Sequence, residues 1–231
     1  MAKKLPCFFL ANDASSEGKA FRNAEQVANV EGPYGMKLNL DLVTKDWSII
    51  RRMGDFTGRP IFVDMKMWNG KRTMAEIVQA VADEGGAMVN AYASAERLLE
   101  KASEVARDTG VVLLGVTVLT HYDDAYCRRI YRRSMNDTVR MFAEMSMRWG
   151  CNGYILPGTT LGAVADLGGI KFNPAVRPAW FANKDANDQK QIMTPREALD
   201  AGASIVSCGS PVFKSPHPED AFRRILEEVG D

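Results

Sequence analysis

Histidine is nearly absent from this chain: 231 residues contain only His121 and His217, which are far apart and show no ligand-like spacing. Nothing in the sequence therefore specifies a metal site. Cysteine is scarce too. Cys7, Cys127, Cys151 and Cys208 are scattered and form no C-x-x-C pair, which reads as reduced thiols in a cytoplasmic protein. Neither sign of charge is in excess, with 29 Lys and Arg against 29 Asp and Glu, so composition gives no grounds for nucleic-acid or membrane-surface binding. Arg128, Arg129, Arg132 and Arg133 are read as a solvated helix face. No apolar run approaches the roughly 20 residues of a membrane span. Cys7 to Ala11 is short and meets Asn12 and Asp13 at once. Linkers, low-complexity tracts and internal repeats are also missing, and the expectation is one domain over 1–231.

What the chain does contain is a recurrence of short apolar runs separated by amphipathic, helix-forming stretches. The runs are Pro6 to Ala11, Met36 to Leu40, Pro60 to Lys66, Ala87 to Ala91, Val111 to Leu119, Gly153 to Leu156, Gly169 to Phe172 and Ser204 to Cys208. Between them, Thr73 to Glu84 reads as a helix stopped by Gly85-Gly86, and Asp137 to Trp149 as another. Pro195 to Ala201 opens on Thr194 as N-cap with proline in the first turn. Eight strands alternating with helices in this length predict a (β/α)8 TIM barrel, with a doubly wound open sheet as the alternative.

In such a barrel the chemistry lies at the C-terminal ends of the strands. Polar residues gather there: Asn12 and Asp13, Lys37 and Asn39, Asp64 and Lys66, Asn90 and Tyr92, Thr120 and His121, and Cys208-Gly209-Ser210. Asp64 and Lys66 are two apart, so on a strand both side chains point to one face, and burying them there is costly unless they are paired or used. A structural ion pair is the plain reading of these two alone. With Asp13 and Lys37 on the neighbouring strands they instead make an alternating charged array in one mouth, which favours a site.

The ordered set Ala11-Asn12-Asp13, Lys37-Leu38-Asn39, Asp64-x-Lys66-x-x-Asn69 and Met88-Val89-Asn90 resembles the orotidine 5′-phosphate decarboxylase family. Leu114 to Thr120, Asn173-Pro174-Ala175-Val176-Arg177-Pro178, Asp188-Gln189-Lys190 to Thr194-Pro195 and Cys208-Gly209-Ser210-Pro211 extend the resemblance over essentially the whole chain. It implies cofactor-independent removal of the C6 carboxylate of orotidine 5′-phosphate, giving UMP and CO2 in pyrimidine nucleotide biosynthesis. On that resemblance Lys66 stabilises the carbanion and protonates C6, and Asp64 crowds the leaving carboxylate and orients Lys66. Lys37 and Asp13 bind ribose hydroxyls and complete the charge network. Thr120 holds the pyrimidine edge. Arg177, Gln189 and the backbone near Gly209 and Ser210 form the phosphate pocket. The resemblance further implies a homodimer with shared sites, in which Asn69 and Thr73 reach the neighbour's ligand.

The chain departs from the family pattern inside the pocket. Asn69 stands where the family carries a second aspartate, so the charge network lacks one negative charge while hydrogen bonding survives. Gly70-Lys71-Arg72-Thr73 replaces Ile-Pro-Asn-Thr, and the two cations are read as solvated. Ser210 replaces the main phosphate-binding arginine. That loss typically costs a few kcal/mol, roughly tenfold to a few hundredfold in affinity. Asn39 and Ala175 replace glycines and Tyr92 replaces a histidine. Two alternatives stay open beside the family reaction: a paralogue that decarboxylates unphosphorylated orotidine or another pyrimidine nucleoside or nucleotide, and a non-catalytic nucleotide binder.

Overall fold

The computed structural model describes residues 5–181 and 193–230. Eight parallel strands close on themselves in chain order: β1 Phe8–Asn12, β2 Gly35–Asn39, β3 Ile61–Met67, β4 Met88–Tyr92, β5 Val112–Val116, β6 Gly153–Ile155, β7 Ile170–Pro174 and β8 Ile205–Cys208. Pairing of β8 with β1 seals the ring, so the architecture is the (β/α)8 barrel and not the open sheet. Around it run α1 Glu17–Glu25, α2 Leu40–Val43, α3 Ile49–Thr57, α4 Lys71–Asp83, α5 Glu100–Thr109, α6 Asp124–Tyr131, α7 Met135–Arg148, α8 Pro195–Asp200, α9 Ser210–Phe213 and α10 Pro218–Gly230. Among the described residues no helix is long and apolar enough to cross a membrane.

The strands read as unbroken apolar runs because both of their faces are covered. Phe8 and Leu10 point outward into the helix layer, where the Phe8 ring lies 5.8 Å from that of Phe222 on α10. Phe9 points inward and meets Phe62 and Phe172 at 6.1 and 6.3 Å, with Phe62 and Phe172 5.2 Å apart. Met88, Leu114, Val116, Ile155 and Ile205 complete this separate inner cluster, so the lumen is packed rather than open. Gly35 sits opposite Phe9 in the β1–β2 ladder, and a Cβ there would come within 2.3 Å of the ring. The absent side chain is what lets the inner ring lie flat against β2.

The helix starts follow their caps. The Thr194 hydroxyl accepts the Glu197 N–H at 3.2 Å and the Glu197 carboxylate accepts the Thr194 N–H at 2.9 Å, a reciprocal box that opens α8 at Pro195 as expected. α7 starts two residues before the expected Asp137, because Ser134 caps it through the Asp137 N–H at 3.1 Å. α4 starts at Lys71, not Thr73, after Gly70 in an extended conformation. The run expected as strand five stretches to Leu119, but β5 ends at Val116. The last rung is the Thr117 N–H on the Ile155 carbonyl at 3.0 Å, and the Thr117 hydroxyl donates to the same oxygen at 2.8 Å.

Candidate active site

Inward-facing residues change character one layer above the aromatic floor. At Ala11, Lys37, Asp64 and Asn90 the strands begin to line a cleft of about 590 Å³ at their C-terminal ends, with Phe62 and Phe172 at its base. Asp13 follows β1, Lys37 lies on β2, and Asp64 and Lys66 lie on β3. Lys37 Nζ donates to Asp13 at 2.5 Å and to Asp64 at 3.2 Å, and Lys66 Nζ donates to the other Asp64 oxygen at 2.6 Å. The array expected from the sequence is therefore one continuous chain of contacts, Asp13–Lys37–Asp64–Lys66, and its four charges sum to zero.

Burial and pairing pull against each other here, and pairing wins at both buried members. Burial of Asp64 favours its neutral form. The charges of Lys37 and Lys66, with donated hydrogen bonds from Lys66 and Asn90, overcome this and hold the carboxyl down at about 2. Burial would likewise lower the Lys37 pKa, yet Asp64 and Asp13 raise it above its ordinary value. Lys37 is 8% exposed, so its charge is sustained by those two carboxylates and not by water.

The backbone at Lys66 is unusual. Its φ is 48°, a left-handed conformation in a non-glycine residue, and the β3–β4 register shifts between Val63 and Met67. Such a bulge re-aims a side chain at a cost of order 1–3 kcal/mol that the surroundings must hold. Asn90, fully buried on β4, accepts the Lys66 N–H at 2.6 Å and donates to Asp64 at 2.8 Å.

At the opposite wall the cleft is bounded by Pro174, Ala175, Arg177, Ser207, Cys208, Gly209 and Ser210. The Arg177 guanidinium is half-buried. Among the described residues its Nε is enclosed without a hydrogen-bond partner and Nη1 reaches only the Val176 carbonyl at 3.4 Å, and the Phe181 ring lies 6.0 Å away. Among the described residues no carboxylate forms an ion pair with it, and burial lowers its pKa. Cys208 does not serve as counter-ion, because burial pushes its thiol up to about 12 and keeps it neutral. A half-buried cation of this kind is stabilised by any anion that reaches it. Gly209 is required by close approach: a Cβ there would lie 2.1 Å from the Ala11 carbonyl. Ala175 takes φ 63° at the position where the resemblance has glycine.

The fold thus brings Asp13, Lys37, Asp64, Lys66, Thr120, Arg177, Gly209 and Ser210 to one cleft. Asn69 and Thr73 are not part of it. Asn69 is exposed beyond β3 and accepts the Gly70 N–H at 2.7 Å, and Thr73 lies in the first turn of α4. Gln189 lies outside the described residues. Lys71 and Arg72 turn outward onto Glu100 at 2.7 Å and Glu76 at 2.6 Å, in line with the solvated reading. Asn39 and Tyr92, read as departures inside the pocket, line the cleft, and so do Asn90 and His121, noted as strand-end polar groups without a role. Inward parity with Asp64 and Lys66 was the available signal.

The family model for the orotidine 5′-phosphate decarboxylase / HUMPS family matches residues 6–225. An orotidine 5′-phosphate decarboxylase of Paramagnetospirillum magneticum is 30% identical over 234 residues, covering 96% of this chain and 97% of the relative. One from Nitrosococcus oceani is 32% identical over 204 residues, covering 85% and 86%. One from Rhodopseudomonas palustris is 34% identical over 180 residues, covering 74% and 73%. The crystal structure of orotidine 5′-phosphate decarboxylase from Lactobacillus acidophilus superposes with a TM-score of 0.81 over 99% of this chain and all of that one, at 21% identity, a likeness of fold. With the paired charges of β1 to β3 at one end of the cleft and the Arg177 guanidinium at the other, the chain belongs to the orotidine 5′-phosphate decarboxylase / HUMPS family.

Proposed function

We propose that this carboxy-lyase-family protein decarboxylates orotidine 5′-phosphate to UMP and CO2 without a cofactor, as a step of pyrimidine nucleotide formation. The observation that carries the reading is the Asp13–Lys37–Asp64–Lys66 chain over an apolar floor, with the Arg177 guanidinium across the same cleft. Asp64 stays ionised at any physiological pH and faces the substrate carboxylate as a fixed like charge. The bond from C6 to the carboxylate carbon breaks, CO2 leaves, and the electron pair stays on C6 in the ring plane. Lys66 supports that pair as an ammonium, transfers a proton to C6, and is reprotonated from solvent. Preorganised charge in a water-poor cavity is the source of the acceleration.

Lys37 and Asp13 hold the ribose hydroxyls, and Thr120 the pyrimidine edge. Arg177, Gln189, the Ser210 hydroxyl and the backbone at Gly209 hold the phosphate. Exposure of Trp68 to 67% beside Asn69, outside the cleft of its own chain, supports a homodimer in which Asn69 and Thr73 serve the partner's site.

A second reading has its own support. Ser210 offers a short neutral donor in place of an arginine fork, which suits unphosphorylated orotidine. Both readings are tested by following loss of orotate absorbance with each ligand, with Lys66→Ala as blank. Turnover of orotidine 5′-phosphate that vanishes in the blank supports the family reaction, and preference for orotidine makes Ser210 a specificity change. Silence with both overturns the proposal and leaves a binder or a decarboxylase of some other ligand, which calorimetry with UMP would separate.

A further inference from the structure

We infer that Asn90 is a positioning residue whose carboxamide, in place of the missing β3–β4 ladder, fixes where the Lys66 ammonium meets Asp64. Val63 pairs with Val89 and Met67 with Ala91, so Asp64, Met65 and Lys66 together stand against Asn90 alone. The bulge deprives Lys66 of a backbone acceptor on β4. Asn90 Oδ1 replaces it, accepting the Lys66 N–H at 2.6 Å, and Nδ2 reaches back to Asp64 Oδ1 at 2.8 Å. The carboxamide has a single orientation that satisfies both contacts, because its other face would set donor against donor at Lys66.

The clamp acts on the one oxygen that also receives Lys66 Nζ, at 2.6 Å. Its two ends therefore hold the backbone and the side-chain partner of the same lysine. With φ at 48°, Lys66 is in a conformation its own chemistry disfavours, and releasing the N–H frees it to relax toward ordinary strand geometry. Such relaxation would swing Nζ away from Asp64. Two replacements show what the carboxamide supplies. Leucine offers neither contact. Aspartate keeps the acceptor but loses the donor and places a like charge beside Asp64, whose surroundings already include Lys37 from β2, Asp13 after β1 and Tyr92 on β4.

The inference depends on the proposed decarboxylation only for its turnover arm, so the test has two readouts that need no substrate. In labelled protein, Lys66 amide exchange and the Asp64 carboxyl 13C titration are followed in the wild type, Asn90→Asp and Asn90→Ala. Expected for Asn90→Asp is a protected Lys66 amide with Asp64 titrating at higher pH. Expected for Asn90→Ala is Lys66 exchange faster by about tenfold or more together with the same upward movement. With orotidine 5′-phosphate as probe, kcat of Asn90→Ala falls about a hundredfold while KM stays within about threefold, the signature of misplacement and not of lost binding. An Asp64 titration unmoved in both variants, in proteins that keep the wild-type melting temperature, overturns the inference. If Asn90→Ala does not fold, Asn90→Asp decides through Lys66 amide exchange, which stays protected if the side-chain acceptor holds the Lys66 N–H and whose loss of protection overturns the inference. A wild type inactive on the probe refutes the proposed reaction, and the two magnetic-resonance readouts still decide the clamp.

Discussion

Lys66 lies 2.6 Å from Asp64 across an interval of two residues on the same strand, and the pair faces the mouth of the barrel and not its helices. The carboxyl of Asp64 is held down from an ordinary 3.8 to about 2 by the charges around it, against its own burial. A group depressed in the folded state contributes stability that is present above its unfolded value and is lost as pH falls through its folded one. Here that window runs from about 4 to about 2, and the amount at stake is on the order of 2 kcal/mol. Thermal melts of wild type and Asp64→Asn across that range should converge as pH drops. Parallel curves would show that Asp64 is not held ionised by Lys37 and Lys66.

Arg177 provides a second test. Replacing it with alanine should raise KM for orotidine 5′-phosphate by roughly tenfold to a few hundredfold and leave orotidine unaffected. Loss of melting temperature should be small, since the guanidinium makes no ion pair among the described residues and its burial is a cost. The reverse change, Ser210→Arg, should improve kcat/KM for the phosphorylated ligand. If it does not, the phosphate does not sit at this wall.

The floor can be probed at Gly35. Gly35→Ala forces a Cβ to within 2.3 Å of the Phe9 ring and should cost about 1–3 kcal/mol. Adding Phe9→Leu makes room, so the double variant should recover part of the loss. Strict additivity in denaturant titrations would mean that the two positions do not share that space.

Ala175 carries a removable strain. Its φ of 63° is a conformation glycine adopts freely, so Ala175→Gly should stabilise the chain by about 1 kcal/mol, or roughly 2–4 °C in melting temperature for a domain of this size. An unchanged or lower melting temperature would show the methyl group to be compensated by contacts in the cleft.

Much of the fold could be read from the sequence because strands buried on both faces are continuous apolar runs, and eight of them alternate with capped helices. Asp64 and Lys66 were legible as a same-face pair for the same reason, the two-residue repeat of a strand. The bulge was not. Lys66 carries no glycine to announce a left-handed backbone, and the compensating group, Asn90, is 24 residues away on another strand. The end of β5 is hidden in the sequence because Val118 and Leu119 continue the apolar run past Val116, where the strand stops. Asn69 and Thr73 lie outside the cleft of their own chain, and the half-burial of Arg177 shows only once the wall around it is built.

Asp64 is the node at which Lys37, Lys66 and Asn90 meet, each donating to the same carboxylate. Energies at these positions therefore do not partition residue by residue. Removing Lys37 or Lys66 alone leaves the buried anion one cation, whereas removing both strands it, so the double loss should exceed the sum of the single losses. An alanine scan would rank these side chains by what remains around Asp64, and only a thermodynamic cycle among them would measure how the group is wired.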